Sequence, residues 1–138
     1  MTFSKPNFST PFRTDISDIF DGKEHHVMIP WQKVNGQMIF YKDGEQKFSK
    51  IVAKGQTLLA GGVLVVGQDQ DTLGGGFRIH DSFKGIIDAV YIWNKSLSID
   101  EIKLLAKNCN AYLSGYSIGY HDFEFTNTTN RVEPTCSV

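Results

Sequence analysis

The sequence has no excess of charge of either sign and no long apolar run. Its 14 basic and 15 acidic side chains nearly cancel, so no charged face for nucleic acid or an anionic membrane is indicated. No apolar segment approaches the roughly 18 residues that a membrane span needs. Residues 1–10 also lack the apolar core of a secretory signal. We therefore expect no nucleic-acid partner and no membrane span.

Cysteine is scarce, which limits the covalent cross-links that the chain can form. Its two cysteines, Cys109 and Cys136, permit a single intrachain disulfide at most. Three glycosylation sequons begin at Asn7, Asn94 and Asn127, and they favour an extracellular glycoprotein only weakly, because sequons are frequent by chance. The 138 residues are enough for one domain with a real core.

Catalytic motifs are missing as well. His80 and His121 have no Ser or Cys nucleophile motif near them. Asp69 and Asp71 are neighbours in one stretch, whereas the paired carboxylates of a glycosidase face each other across a cleft. The adjacent His25 and His26 would point to opposite faces of a strand, without a further metal ligand at a useful spacing. The sequence therefore predicts that the protein is not an enzyme.

Residues 26–53 carry the clearest strand pattern. An extended run at 26–31 is followed by the hairpin signal Asn35-Gly36 and a return strand at 37–42. Asp43-Gly44 then turns the chain into a third strand at 46–53. This pattern predicts a three-stranded antiparallel meander.

Later segments predict further strands and one helix. The run 83–93 is apolar on both faces, which is typical of a central strand. Ser98 and Glu101 form a capping box, with Leu97 and Ile102 at the hydrophobic-staple positions, so a short helix follows that ends near Asn108. A last strand is predicted at 120–125. Short strands with glycine turns and one small helix indicate an all-β sandwich.

Between these regions lies a polar loop, Gly67–Phe77, which follows the apolar run Val63–Val66. That run is predicted to be a buried strand. The loop contains two carboxylates, two amides and three consecutive glycines, which are the oxygen ligands and the free backbone that calcium requires. Its spacing is not that of an EF-hand. The alternative interpretation is a polar hairpin loop whose glycines only supply positive φ angles.

The loop and its surroundings resemble the pentraxin domain. The residues that carry the resemblance are Gly67-Gln68-Asp69-Gln70-Asp71, Gly74-Gly75, Phe77, residues 82–87, Tyr91-Ile92-Trp93-Asn94, Leu97-Ser98 and Asp100-Glu101-Ile102. Upstream, Trp31, Asp43-Gly44, Lys54-Gly55 and Gly61-Gly62 also match, so the resemblance covers roughly residues 23–109. It implies an antiparallel jelly-roll sandwich of concanavalin or laminin-G type, and an extracellular, secreted or ectodomain location.

The resemblance also implies a set of calcium ligands. Asp69 and Asp71 would supply carboxylates, Gln70 its backbone carbonyl, and Asp81 would replace an amide of the family. Arg78 departs from the family, because it puts a cation where an acidic residue normally neutralises a second ion. It could form an ion pair with Asp71 or Asp81 in place of metal. We therefore expect one weak calcium site.

Other departures concern the disulfides and the size of the domain. Met28 occupies a cysteine position of the family, and Pro30 and Lys33 occupy hydroxyl positions. The resemblance implies a full domain of about 200 residues, so residues 23–138 are expected to be the C-terminal portion of an incomplete sandwich, preceded by a poorly defined segment or edge strand at 1–22. The resemblance to longer pentraxins implies a Cys109–Cys136 disulfide, with two free thiols as the alternative.

Two functions follow as expectations. The first is a non-catalytic, lectin-like recognition module that binds phosphate- or sugar-bearing ligands through calcium at the loop formed by Asp69, Gln70 and Asp71. The second is a structural adhesion or assembly module, whose sandwich packs against other domains and whose loop binds no calcium. An incomplete sandwich would leave open edges, so we also expect self-association, neighbouring domains, or residues 1–22 covering the open face.

Overall fold

The computed structural model describes residues 19–57, 60–108 and 110–125. Cys109 and Cys136 lie outside the described residues, as do the sequons at Asn7 and Asn127 and nearly all of the predicted segment 1–22. The predicted disulfide therefore stays a prediction. The described residues form two compact units, one within residues 57–87 and the other within residues 19–56 and 88–125.

The larger unit contains the predicted three-stranded antiparallel meander. Its strands are adjacent in chain order, with β1 at Val27–Met28, β2 at Gln37–Lys42 and β3 at Glu45–Ile51. Asp43 and Gly44 connect β2 to β3 with φ angles of 54° and 78°. Positive φ at both residues matches the right-handed twist of the flanking strands, which is why this dipeptide makes a tight hairpin.

The two faces of β2 are buried in different surroundings. Met38 and Phe40 point to one face, where the Phe40 ring stacks on Phe48 of β3 at a centroid distance of 5.0 Å. On the other face, the buried Tyr41 belongs to a cluster with Leu97 and Ile102. The middle strand β2 is thus buried on both faces, as expected for a central strand of a sandwich layer, whereas β3 is largely exposed.

The second layer of this unit is the predicted helix, α1, at Ile99–Lys107. Ser98 caps it: its Oγ accepts from the Glu101 amide at 3.2 Å, and its own amide donates to Glu101 Oε2 at 2.7 Å. The staple residues Leu97 and Ile102 pack on Tyr41, and Ile102 is only 1% exposed. Both the capping box and the end of the helix at Asn108 are confirmed.

Two charged side chains hold His25 beside the meander, a contact that the sequence did not reveal. Its Nδ1 lies 2.8 Å from Asp43 Oδ2 and its Nε2 lies 2.9 Å from Asp21 Oδ1. Carboxylates only accept hydrogen bonds, so both ring nitrogens must donate and the ring carries a positive charge. The hydrogen bond to Asp21, followed by the one to Asp43, raises the pKa of His25 above its ordinary value. The imidazolium therefore ties the chain before β1 to the β2–β3 turn.

This bridge predicts a fall in stability at alkaline pH. A raised folded-state pKa means that its contribution is complete below about pH 6.5 and is lost as the pH rises through the pKa of His25. Urea midpoints measured from about pH 6 to about pH 9 should decline in the wild type and decline less in His25→Gln. His121→Gln, at an exposed histidine, should keep the wild-type slope, and equal slopes in all three proteins would contradict the role of the bridge. Burial lowers the pKa of His26, which costs stability only on the acid side.

The predicted central strand at residues 83–93 is wrong. No strand is assigned there; only Ile92 pairs, in an isolated bridge with Ile118, and Ile86 is 74% exposed. Ala89 has a φ of 50°, which an extended strand does not allow, and its amide donates to the preceding Asp88 side chain at 2.6 Å. The backbone conformation at Ala89 therefore interrupts the strand that the apolar residues predicted.

Two shorter strand predictions also need correction. Val63–Val66 forms no named strand, and only Val65 takes part in a bridge. Residues 120–125 begin with a 3₁₀ turn at Tyr120–Asp122, because Asp122 Oδ2 accepts the Gly119 amide at 2.8 Å and bends the chain locally. The predicted class, antiparallel β-structure with one short helix, is nevertheless confirmed.

In the part of the chain that is described, no helix is both long and apolar enough for a membrane crossing.

Candidate metal site

The candidate loop is closed at its base by two contacts between its first residues and the segment that follows it. The Phe83 amide donates to the Gly67 carbonyl at 2.8 Å, and Gln68 forms an isolated antiparallel bridge with Ser82. These contacts bring residues 67–69 beside residues 81–83. Asp69 and Asp81 are far apart in sequence, and these contacts bring them close together in the structure.

Gln70 holds the loop from inside. It is 8% exposed, its Nε2 donates to the Val63 carbonyl at 3.2 Å, and its Oε1 accepts the Gly74 amide at 2.9 Å. Its side chain is therefore committed to the loop, so the predicted ligand role of Gln70 concerns its backbone carbonyl. A buried amide with both ends satisfied is a structural brace.

Glycine is required at two positions of the turn that follows. Thr72 and Gly75 exchange backbone hydrogen bonds at 3.2 and 3.0 Å, which closes a two-residue turn. Gly74 lies inside it with a φ of +67°, and Gly76 follows it with a φ of +73°. A Cβ at position 76 would lie 2.7 Å from Asp71 Cβ, so a side chain there would push the carboxylate away.

Asp69 and Asp81 line one cavity of about 360 Å³, together with Val66, Gly67, Gln68, Phe83 and Ile87. The Asp81 carboxylate also lies 3.2 Å from His80 Nε2, with both side chains largely exposed. Of the carboxylates predicted as calcium ligands, these two are the ones that the structure places on one cavity. Within residues 19–57, 60–108 and 110–125, no three His, Cys, Asp or Glu side chains are gathered for a metal ion.

Asp71, the third predicted carboxylate, has a different partner. Its Oδ2 lies 3.0 Å from Arg78 Nε, in an ion pair whose side chains are both about half exposed. The sequence had offered this pairing as an alternative to metal. Solvent screens an exposed pair, which is typically worth less than about 1 kcal/mol. Arg78 therefore holds Asp71 weakly, and a calcium ion could compete for it.

Gln68 is a functional candidate that the sequence reasoning missed. It lines the same cavity, and its Oε1 is a buried oxygen without a hydrogen-bond partner among the described residues. Leaving such an acceptor unpaired costs about 1–3 kcal/mol, and an unseen ion or water is a common explanation. In the sequence, only its position directly before Asp69 pointed to a role at the site. That its side-chain oxygen lacks a hydrogen-bond partner can be seen only in the structure.

The sequence profile of the Pentaxin family matches residues 10–132. The chain belongs to the pentaxin (pentraxin) family. The β-sandwich fold that the sequence predicted is the fold of this family, and the meander with its short helix is consistent with it. The resemblance found in the loop and helix motifs is thereby confirmed.

Individual relatives support the same assignment. The mouse Sushi, von Willebrand factor type A, EGF and pentraxin domain-containing protein 1 is 37% identical over 112 residues, covering 80% of this chain and 3% of that protein. Human neuronal pentraxin-1 is 39% identical over 103 residues, covering 74% of this chain and 24% of that protein. Human adhesion G protein-coupled receptor D2 is 35% identical over 79 residues, covering 56% and 8%. The chain thus spans a small part of each relative.

Proposed function

We propose that this pentaxin chain is a non-catalytic extracellular recognition module, which binds phosphate- or sugar-bearing ligands through one weakly held calcium ion. The observation that carries the proposal is the shared cavity of Asp69 and Asp81. Two carboxylates and the carbonyl of Gln70 suit a hard cation that prefers six to eight oxygens, with water and Asp71 completing the shell. Bound calcium would offer open coordination positions to ligand oxygens.

The orphaned Gln68 oxygen supports the fit of calcium to this cavity. Its chemistry matches the ion, and so does the acidic character of the cavity, whereas a cavity built for an anion would not present two carboxylates. The extracellular location rests on relatives that include neuronal pentraxin-1 and an adhesion receptor. Partner domains are a further part of the proposal, because the relatives are many times longer than this chain.

A structural adhesion or assembly module is the second candidate. The observation that favours it is the Arg78–Asp71 ion pair, because a built-in cation can neutralise the loop without metal. The Gln70 brace points the same way, since it closes the loop with protein contacts alone. In this alternative the loop is ordered but binds nothing. Calcium binding therefore decides between the two functions.

Calcium titration of thermal stability separates them. A ligand that binds only the folded state stabilises it by RT ln(1 + [L]/Kd), or about 1.4 kcal/mol at ten times Kd. For a weak extracellular site with a Kd of about 1 mM, the melting midpoint should rise by about 4 °C in about 10 mM calcium. Asp69→Asn and Asp81→Asn should abolish the rise, whereas the control Asp100→Asn on α1 should preserve it. An unmoved wild-type midpoint would favour the structural module.

Ligand binding is tested with soluble probes of the two proposed chemistries. Phosphoserine presents a phosphate monoester and galactose presents vicinal hydroxyls, both of which can complete a calcium shell. Calorimetric titration in millimolar calcium should give binding of at least one of them, and a chelator should remove it. Binding that persists in the chelator would show that the ligand site does not use calcium.

A further inference from the structure

Gln68 occupies a special place in the candidate site, because its amide has one satisfied end and one unsatisfied end. Its Nε2 donates to Ser82 Oγ at 2.5 Å, while Oε1 is buried without a partner among the described residues. Amide orientation follows from the hydrogen-bond network. The Ser82 hydroxyl donates its proton to the Arg78 carbonyl at 3.4 Å, so Ser82 is left as an acceptor for Gln68. The oxygen of Gln68 is therefore the end that needs a partner.

The cavity restricts what that partner can be. Gln68 lines it beside Asp69 and Asp81, and two carboxylates attract a cation and repel an anion. A calcium–oxygen contact of about 2.3–2.6 Å is shorter than a hydrogen bond from water to a carbonyl, at about 2.8 Å. A dehydrated ion can thus approach this oxygen more closely than a water molecule can.

We propose that the Gln68 side-chain oxygen is a direct ligand of the cation bound in this cavity, alongside Asp69 and Asp81. This inference rests on the proposed calcium-dependent function. Ser82 engages the opposite end of the amide, so that the oxygen is the end left for the cation. Gln68 also selects calcium over magnesium, since magnesium gives up its waters reluctantly and needs shorter distances.

The test compares variants that separate the oxygen from the hydrogen bond to Ser82. Gln68→Met keeps the length of the side chain but has no amide, and Gln68→Asn keeps the amide one methylene short. Ser82→Ala removes the partner of Nε2, together with the long hydrogen bond of the hydroxyl to the Arg78 carbonyl. Calcium affinity is measured by calorimetry, with magnesium as the comparison ion. Thermal melts in a chelator establish that each variant is folded.

Loss of one oxygen ligand should weaken calcium binding about tenfold in Gln68→Met and Gln68→Asn, with magnesium binding unchanged. Ser82→Ala should stay within about threefold of the wild type, because a water can replace the hydroxyl. Gln68→Glu should bind calcium about tenfold more tightly, because it adds a charge at the same oxygen. A purely structural Gln68 would make Ser82→Ala as damaging as Gln68→Met and would leave Gln68→Glu no tighter.

Failure of this inference differs from failure of the proposed function. If the wild type binds calcium and Asp69→Asn abolishes it while all Gln68 variants match the wild type, the role of Gln68 is overturned and the calcium site remains. If the wild type and Gln68→Glu both bind no calcium, the site and the role of Gln68 fall together.

Discussion

Replacing Ile102 by alanine is expected to lower the free energy of unfolding by about 3 kcal/mol. Ile102 is 1% exposed and packs against Tyr41 of β2 and the staple residue Leu97. Removing its buried side-chain carbons costs their transfer free energy and leaves a cavity that its neighbours fill only partly. The helix would keep its cap but lose its anchor to the sheet, so the effect should appear as a cooperative loss of stability.

Ile99 provides a matched control on the same helix. It is the same residue type but is 57% exposed, so Ile99→Ala should change stability by no more than about 0.5 kcal/mol. Urea denaturation followed by circular dichroism measures both variants. Equal losses for the two would show that the burial of Ile102 against the meander does not determine the cost, since alanine is the stronger helix former and propensity alone would give no loss. An Ile102→Ala protein as stable as the wild type would contradict the observed core.

Local sequence signals predicted the elements that local chemistry controls. Asp43-Gly44 fixes a hairpin turn through its positive φ angles, and Ser98 with Glu101 fixes the start of α1 through two short-range hydrogen bonds. Each signal contains its own physical cause within a few residues. The bounds of β2, Gln37–Lys42, were predicted to the residue for the same reason.

The run at residues 83–93 shows where such reasoning stops. Its apolar character on both faces indicates a capacity for burial, but a central strand also needs partners along both edges. Ala89, with its positive φ, and the capping contact from Asp88 interrupt the extension, and neither was apparent from residue types. A prediction that rests on apolar character alone therefore overestimated the extent of the sheet.

The candidate site was also only partly predictable. The resemblance to pentaxins named the carboxylates, and the structure brings Asp69 and Asp81 to one cavity. The sequence raised two ion-pair partners for Arg78, and geometry selects Asp71. The unsatisfied oxygen of Gln68 could not be predicted, because it depends on which end of the amide Ser82 engages. Residue types thus identified the loop, and the structure adds which of its side chains already have protein partners.

Arg78→Glu is expected to strengthen calcium binding by about 10- to 100-fold, which is the largest effect on function that we predict. Arg78 now holds Asp71 through a 3.0 Å contact, and its charge repels a cation in the same loop. The substitution frees the Asp71 carboxylate and adds a second one, so that the loop gains two negative groups that can bind calcium. The calcium-induced rise of the melting midpoint should grow accordingly.

Three further variants separate the mechanisms within that effect. Arg78→Gln removes the repulsion without adding a carboxylate, so its affinity should lie between the wild type and Arg78→Glu. Lys84→Glu makes the same change of charge at another exposed position of this unit, and it should strengthen binding by less than about threefold, because it releases no carboxylate and solvent and salt screen an exposed charge. Adding Asp71→Asn to Arg78→Glu should remove most of the gain, since the released carboxylate is then missing. If Lys84→Glu strengthens binding as much as Arg78→Glu does, the loop responds only to net charge, and the Arg78–Asp71 pair does not control the calcium site.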